Sequence, residues 1–148
     1  MPDPDRTKIS LLYVEDDLIS MDLVRQLIAM KYPSLELYTA ENGRSGLDLF
    51  REWMPQIVMT DIKMPIMDGV SMVSEIKALR PETIVVIVAA NCDADYLLND
   101  SVIDFCIAKP IDYRILFTVI ENCIASIKES SRQGEQQIVA ISMVLGKD

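Results

Sequence analysis

Acids close two apolar runs of this chain, and a lysine closes a third. "LLYVEDD" (11–17) ends in Glu15, Asp16 and Asp17, "QIVMT" (56–60) runs into Asp61, and "FCIA" (105–108) runs into Lys109 and Pro110. Carboxylates crowded together repel one another and raise each other's pKa. A hard divalent cation removes that conflict, because Mg²⁺ takes carboxylate and water oxygens and bridges to phosphoryl groups. A lysine adds a compact positive charge. Carboxylates, metal ion and ammonium together suit a phosphoryl group, and one carboxylate can act as nucleophile to give an aspartyl-phosphate. Asp17 also reads as an acid at the positive end of a helix.

These groups meet only if the fold gathers the run ends. "KISLLYV" (8–14) reads as a buried strand. From Asp17 onward Leu18, Met21, Val24, Leu27 and Ile28 repeat at three and four, which marks a helix ending before Pro33. "LELYTA" (35–40) alternates like a strand, and "GRSGLDLFREW" (43–53) is a short helix. After 56–60 a helix is expected over about 68–80, stopped by Pro81. "TIVVIVAA" (83–90) suits a central parallel strand. A weak helix near 93–100 and a strand at 105–108 follow. The next helix starts at an Asp112 cap, with Ile115, Val119, Cys123 and Ile127 on one face and Leu116, Ile120 and Ile124 beside them. Gly134 is expected to break it, leaving "EQQIVAISMVLGKD" as an apolar tail packed on its own domain or on a second copy. The division is a leader (1–8), one domain (9–127) and an extension (128–148). Five strands alternating with five helices imply an α/β fold, a parallel sheet covered on both faces. Ligands of such sheets bind at the carboxyl ends of the strands, where Glu15, Asp16, Asp61 and Lys109 would meet.

Composition excludes other classes. Among 148 residues, 23 acids outweigh 14 bases, and the deficit is shared by both halves of the chain. Nucleic-acid binding by this chain alone is not expected, because phosphate contacts need clustered Lys and Arg. No apolar run is long enough for a membrane span. "MPDPDRTK" lacks the apolar segment of a signal peptide, so a cytoplasmic protein is expected. Cys92, Cys106 and Cys123, without CxxC spacing and with no histidine in the chain, read as reduced core residues, neither a disulfide framework nor a zinc site. For Cys106 plain burial is preferred to redox sensing. The nine methionines read as adaptable packing.

"LLYVEDD", "IVMTDIKMPIMDG" and "IAKPID" resemble the receiver domain of two-component response regulators, over about residues 9–127. The resemblance implies a doubly wound, flavodoxin-like five-stranded parallel sheet in the order 2-1-3-4-5. It implies that Asp61 is phosphorylated, that Glu15 and Asp16 hold Mg²⁺ with Asp61 and the backbone carbonyl of Lys63, and that Lys109 contacts the phosphoryl group. Pro65 and Gly69 would shape the loop after Asp61. Pro110 would shape the turn after Lys109, with a cis bond. The implied partners are a histidine kinase or phosphotransfer protein as donor, and a downstream protein or fused output domain as reader.

Two positions depart from the family pattern. Receivers usually end their fourth strand with Thr or Ser, where this chain is read as having Ala90; a one-residue shift of the alignment would put Asn91 there. Three residues before the lysine the family usually has Tyr or Phe, where this chain has Cys106, with Phe105 turned to the other face. A lost hydroxyl removes one hydrogen bond, about 0.5–1.5 kcal/mol net. Ala90 reads equally as an altered relay or as a small core residue. Three readings follow. The first is a phosphoacceptor switch rather than an enzyme on outside substrates. The second is a receiver-like binding module with weakened switching. The third, a metal-dependent phosphohydrolase, lacks an acid two residues after Asp61.

Overall fold

The computed structural model describes residues 8–93 and 102–145, with side chains as far as residue 132. The elements run β1 (Ser10–Val14), α1 (Leu18–Lys31), β2 (Glu36–Ala40), α2 (Gly43–Trp53), β3 (Ile57–Asp61), α3 (Gly69–Leu79), β4 (Ile84–Ala89), β5 (Phe105–Ala108) and α4 (Tyr113–Leu145). The strands form one parallel sheet in the order β2-β1-β3-β4-β5, as expected.

Alternation along each strand divides the core in two. Leu11, Tyr13, Ile57, Met59, Val86 and Val88 face Met21, Val24 and Ile28 of α1 and Leu116, Val119, Ile120 and Cys123 of α4. Leu12, Val14, Val58, Val85 and Ile87 face Leu47 and Phe50 of α2 and Met72, Val73 and Ile76 of α3. Every residue of β1 and β3 is buried, because both faces of the sheet are covered. That accounts for their near-continuous apolar sequence.

A side-chain cap starts each described helix. Asp17 accepts from the Ile19 N–H, Asn42 from Ser45, Asp68 from Ser71 and Asp112 from Arg114. Asp17 is therefore the helix-start acid its position suggested, and it also accepts from the Ser20 hydroxyl at 2.8 Å.

Several expectations need correction. Gly134 does not end the last helix, which runs from Tyr113 to Leu145. One glycine costs a helix only about 1 kcal/mol, and its flanks here are good helix formers. The side chains of the tail, residues 1–7 and most of the helix expected near 93–100 lie outside the described residues. Leu18 and Ile115, which share the apolar period of their helices, are 61% and 51% exposed. Both stand in the first turn of their helices, at the edge of the sheet rather than over its face. No described helix is long and apolar enough to cross a membrane.

Candidate functional site

The order of the sheet makes β1 and β3 neighbours, with Val14 opposite Thr60. Glu15 and Asp61 therefore leave the sheet side by side. The Glu15 N–H donates to the Ala40 carbonyl at 3.0 Å, which continues the ladder one step past β1. Oxygens of Glu15, Asp16 and Asp61 lie within 4.8 Å of one another. Glu15 is 2% exposed and Asp61 9%, while Asp16 is open to solvent.

On the far side β5 pairs with β4, and the Lys109 N–H donates to the Ala89 carbonyl at 2.8 Å. This aims the lysine back over β3. Its Nζ donates to Asp61 Oδ2 at 2.8 Å and stands 3.8 Å from Glu15 Oε2. Asp61 Oδ1 accepts from the Ile62 N–H at 2.8 Å. Burial lowers the Lys109 pKa, but the Asp61 hydrogen bond and the Asp61, Glu15 and Asp16 charges outweigh it, so the ammonium is retained. Burial pushes the Glu15 carboxyl up, as do Asp61 and Asp16; the Asp17 N–H and Lys109 oppose them only in part.

Glu15 Oε2 is a buried carboxylate oxygen without a hydrogen-bond partner. Such an atom costs free energy unless something positive meets it, and Lys109 is too distant for a hydrogen bond. Two buried acids, one exposed acid and an orphaned oxygen fit a hard divalent cation that keeps part of its water shell. The Tyr13 hydroxyl, also buried without a partner, has its pKa raised by burial and by Glu15 and Asp61. Nothing in the sequence pointed to it.

A cavity of about 270 Å³ opens over Asp61, lined by Ile62, Lys63, Ala89, Ala90, Asn91 and Lys109. The strand closes at Ala89, so the residue at the end of the fourth strand is Ala89 and not Ala90, which is exposed beyond it. Both alanines line the cavity, and neither brings a hydroxyl. A larger cavity, about 540 Å³, is lined by Lys8, Lys31, Tyr32, Ser34 and Lys128 among others, with no acid among the lining residues to pair with its lysines.

The loop after Asp61 is held by close backbone contact. The Gly69 N–H donates to the Ile62 carbonyl at 2.8 Å, and a Cβ on Gly69 would collide with the Asp61 carbonyl oxygen. Ile66 adopts a φ of 70° with its side chain 73% exposed. A β-branched residue is strained in that region. Ile66→Gly relieves about 1–2 kcal/mol of strain against about 0.4–1 kcal/mol of added unfolded-chain entropy. A modest rise in the urea midpoint is expected; a fall would show that the Ile66 side chain holds the loop. The Lys109–Pro110 bond is cis, as the resemblance implied.

The cysteines depart most from expectation. Cys92 and Cys106 are joined in a disulfide, and only Cys123 is free and buried. Cys106 is half-buried on the face of Ala89 and Ile87, while Phe105 packs on the opposite face as read. The pairing follows from the adjacency of β4 and β5: Cys92 stands three residues past β4, and Cys106 lies in the neighbouring strand opposite Ile87.

A family model described as the response regulator receiver domain matches residues 11–121. An uncharacterized response regulatory protein of Staphylococcus epidermidis is 30% identical over 119 residues, covering 78% of this chain and 46% of that protein. The transcriptional regulatory protein HptR of Staphylococcus aureus is 26% identical over 130 residues, covering 85% and 50%. The chain thus spans about half the length of these curated relatives. Among solved structures, the N-terminal domain of a Wolinella succinogenes protein matches with a TM-score of 0.74 at 27% identity, covering 83% of this chain and 98% of that one. A CheY-like receiver domain from Methanospirillum hungatei shares the fold, with a TM-score of 0.73 at 23% identity over 83% and 99% of the two chains. With the acids of two neighbouring strands and the lysine of a third converging at one sheet edge, and a family match across most of its length, the chain belongs to the receiver domains of two-component response regulators.

Proposed function

We propose that the chain is a phosphoacceptor switch in which Asp61 takes a phosphoryl group from a histidine kinase or phosphotransfer protein. The observation that carries this is the Asp61 carboxylate, 2.8 Å from the Lys109 ammonium and within 4.8 Å of the Glu15 and Asp16 oxygens, below an open cavity. A carboxylate oxygen of Asp61 attacks phosphorus, the bond from phosphorus to the donor nitrogen breaks, and the leaving imidazole keeps its electron pair and takes a proton. Lys109 stays charged and meets the phosphoryl oxygens. The Ile62 N–H holds the other Asp61 oxygen and so fixes the plane of the carboxylate. Glu15, Asp16, Asp61 and the Lys63 carbonyl would hold Mg²⁺, which when bound neutralises charge on the transferring group.

The output is a changed protein surface at the adjacent loop and helices, read by a downstream protein, a fused domain or a second copy of the chain. The chain acts on no outside substrate, and its place is the cytoplasm. Incubation with a small-molecule phosphoryl donor and Mg²⁺ is expected to add the mass of one phosphoryl group, and chelation of the metal to prevent it. An unchanged mass would reject the reading.

Ala89 and Ala90 favour a second reading, a binding module whose acceptor no longer drives a change of shape. It predicts Mg²⁺ binding and labelling at Asp61 without any difference in amide exchange between labelled and unlabelled chains.

A further inference from the structure

Cys92 and Cys106 are 14 residues apart and belong to different segments, yet their Cα atoms stand 5.8 Å apart and their sulfurs are joined. That Cα separation is the commonest one in disulfides. Cys92 directly follows Asn91, which lines the cavity over Asp61. Cys106 lies in β5 opposite Ile87, three residues before Lys109. One covalent bond therefore ties the loop that borders the cavity to the strand that delivers the lysine. Ala89 and Ala90 offer no side-chain hydrogen bond for that purpose.

We infer that Cys92 and Cys106 form a reversible disulfide that restrains the loop at 90–93 and so gates phosphoryl transfer at Asp61. The inference rests on the phosphoacceptor reading above. Both residues are half-buried, so reagents reach them. Cys123 is sealed in the core, where burial pushes its thiol up to about 12. In a reducing cytoplasm a disulfide is commonly transient and redox-sensing rather than structural. The geometry suits that use, since the bond joins two sides of a functional cavity and closes no large loop around the core.

The chemistry balances with a hydroperoxide as oxidant. One thiolate attacks the peroxide; its O–O bond breaks, and one oxygen leaves as water or alcohol after taking a proton. The sulfur becomes a sulfenic acid. The second thiolate attacks that sulfur, the S–S bond forms, the S–O bond breaks, and the oxygen leaves as water. Two thiols give up two electrons and two protons in all. A small dithiol reverses the reaction by two successive exchanges.

The test uses the full chain after treatment with hydrogen peroxide or with dithiothreitol. Peptide mapping under non-reducing conditions is expected to give a linked Cys92–Cys106 peptide only after peroxide, with Cys123 a free thiol in both states. Amide exchange at 90–93 and 105–108 is expected to slow roughly tenfold in the oxidised chain. The rate at which Asp61 is labelled by a small phosphoryl donor with Mg²⁺ is expected to differ by about threefold or more between the states, well within the ~100-fold cost of a misplaced reacting group. Cys92→Ser and, independently, Cys106→Ser should abolish the dependence on peroxide. Absence of the linked peptide overturns the inference, as does equal labelling of the two states. No label in either state instead overturns the phosphoacceptor reading, and the gating with it.

Discussion

An Asp61→Asn chain is expected to take up no phosphoryl group, with label below about one part in a hundred of the native chain, while keeping its fold. The amide has no anionic oxygen to attack phosphorus, so the loss concerns the chemistry itself. The fold should persist because the amide oxygen can still accept from the Ile62 N–H or from Lys109, the two bonds that Asp61 makes. Its removal also takes away one of the charges that raise the Glu15 pKa. Far-ultraviolet circular dichroism should therefore be unchanged, and the melting temperature of the metal-free variant should not fall by more than a few degrees, as expected for about 1 kcal/mol in a domain of this size. Label that persists in the variant would place the acceptor at Glu15 or Asp16 and overturn the assignment.

The place of Asp61 at the sheet edge was legible because its signal is local. An apolar run that stops at an acid, then Pro65, then Asp68 and Gly69, records the strand, the loop and the cap that together hold Asp61. Gly69 is dictated by the backbone itself, since a Cβ at that position would collide with the Asp61 carbonyl. The sheet order came from family resemblance, and the alternation of strands and helices supplied the parallel sheet that the order arranges. What the sequence did not reveal depends on distance and path. Cys92 and Cys106 meet because β5 pairs with β4, and no periodicity encodes that adjacency. Ala89 and Ala90 are chemically alike, so composition cannot say which one ends the strand; the pairing of Ala89 with Ala108 does. Leu18 and Ile115 fit the helical period of their neighbours, but period alone ignores where a helix overruns the sheet.

Mg²⁺ is expected to raise the melting temperature of the native chain by several degrees near pH 7.5, and by progressively less as the pH falls toward 5. Glu15 explains both the size and the direction. Its folded pKa is raised above the unfolded value, so its contribution to stability is full at low pH and is lost as pH rises through the folded pKa. The metal-free protein thus holds a buried charge that burial disfavours, and a cation beside Glu15 Oε2 supplies what that orphaned oxygen lacks. Metal at a hundred times its dissociation constant adds about 2.7 kcal/mol, and each kcal/mol moves the midpoint of a domain this size by about 2–4 °C. As the pH falls, protons compete for the same carboxylate and the gain shrinks. Asp17 and Glu82, whose folded pKa values are lowered, lose their stabilisation as pH falls, so the plain melting curve mixes opposite trends. The informative quantity is the difference between curves with Mg²⁺ and with sodium at matched ionic strength. Glu15→Gln isolates the group: its metal-free melting temperature at pH 7.5 should rise above that of the native chain, because a buried charge is gone, and most of its Mg²⁺ gain should vanish. A gain that survives in Glu15→Gln, or that grows toward low pH, would mean the cation binds elsewhere and that the acids at the end of β1 serve some other purpose.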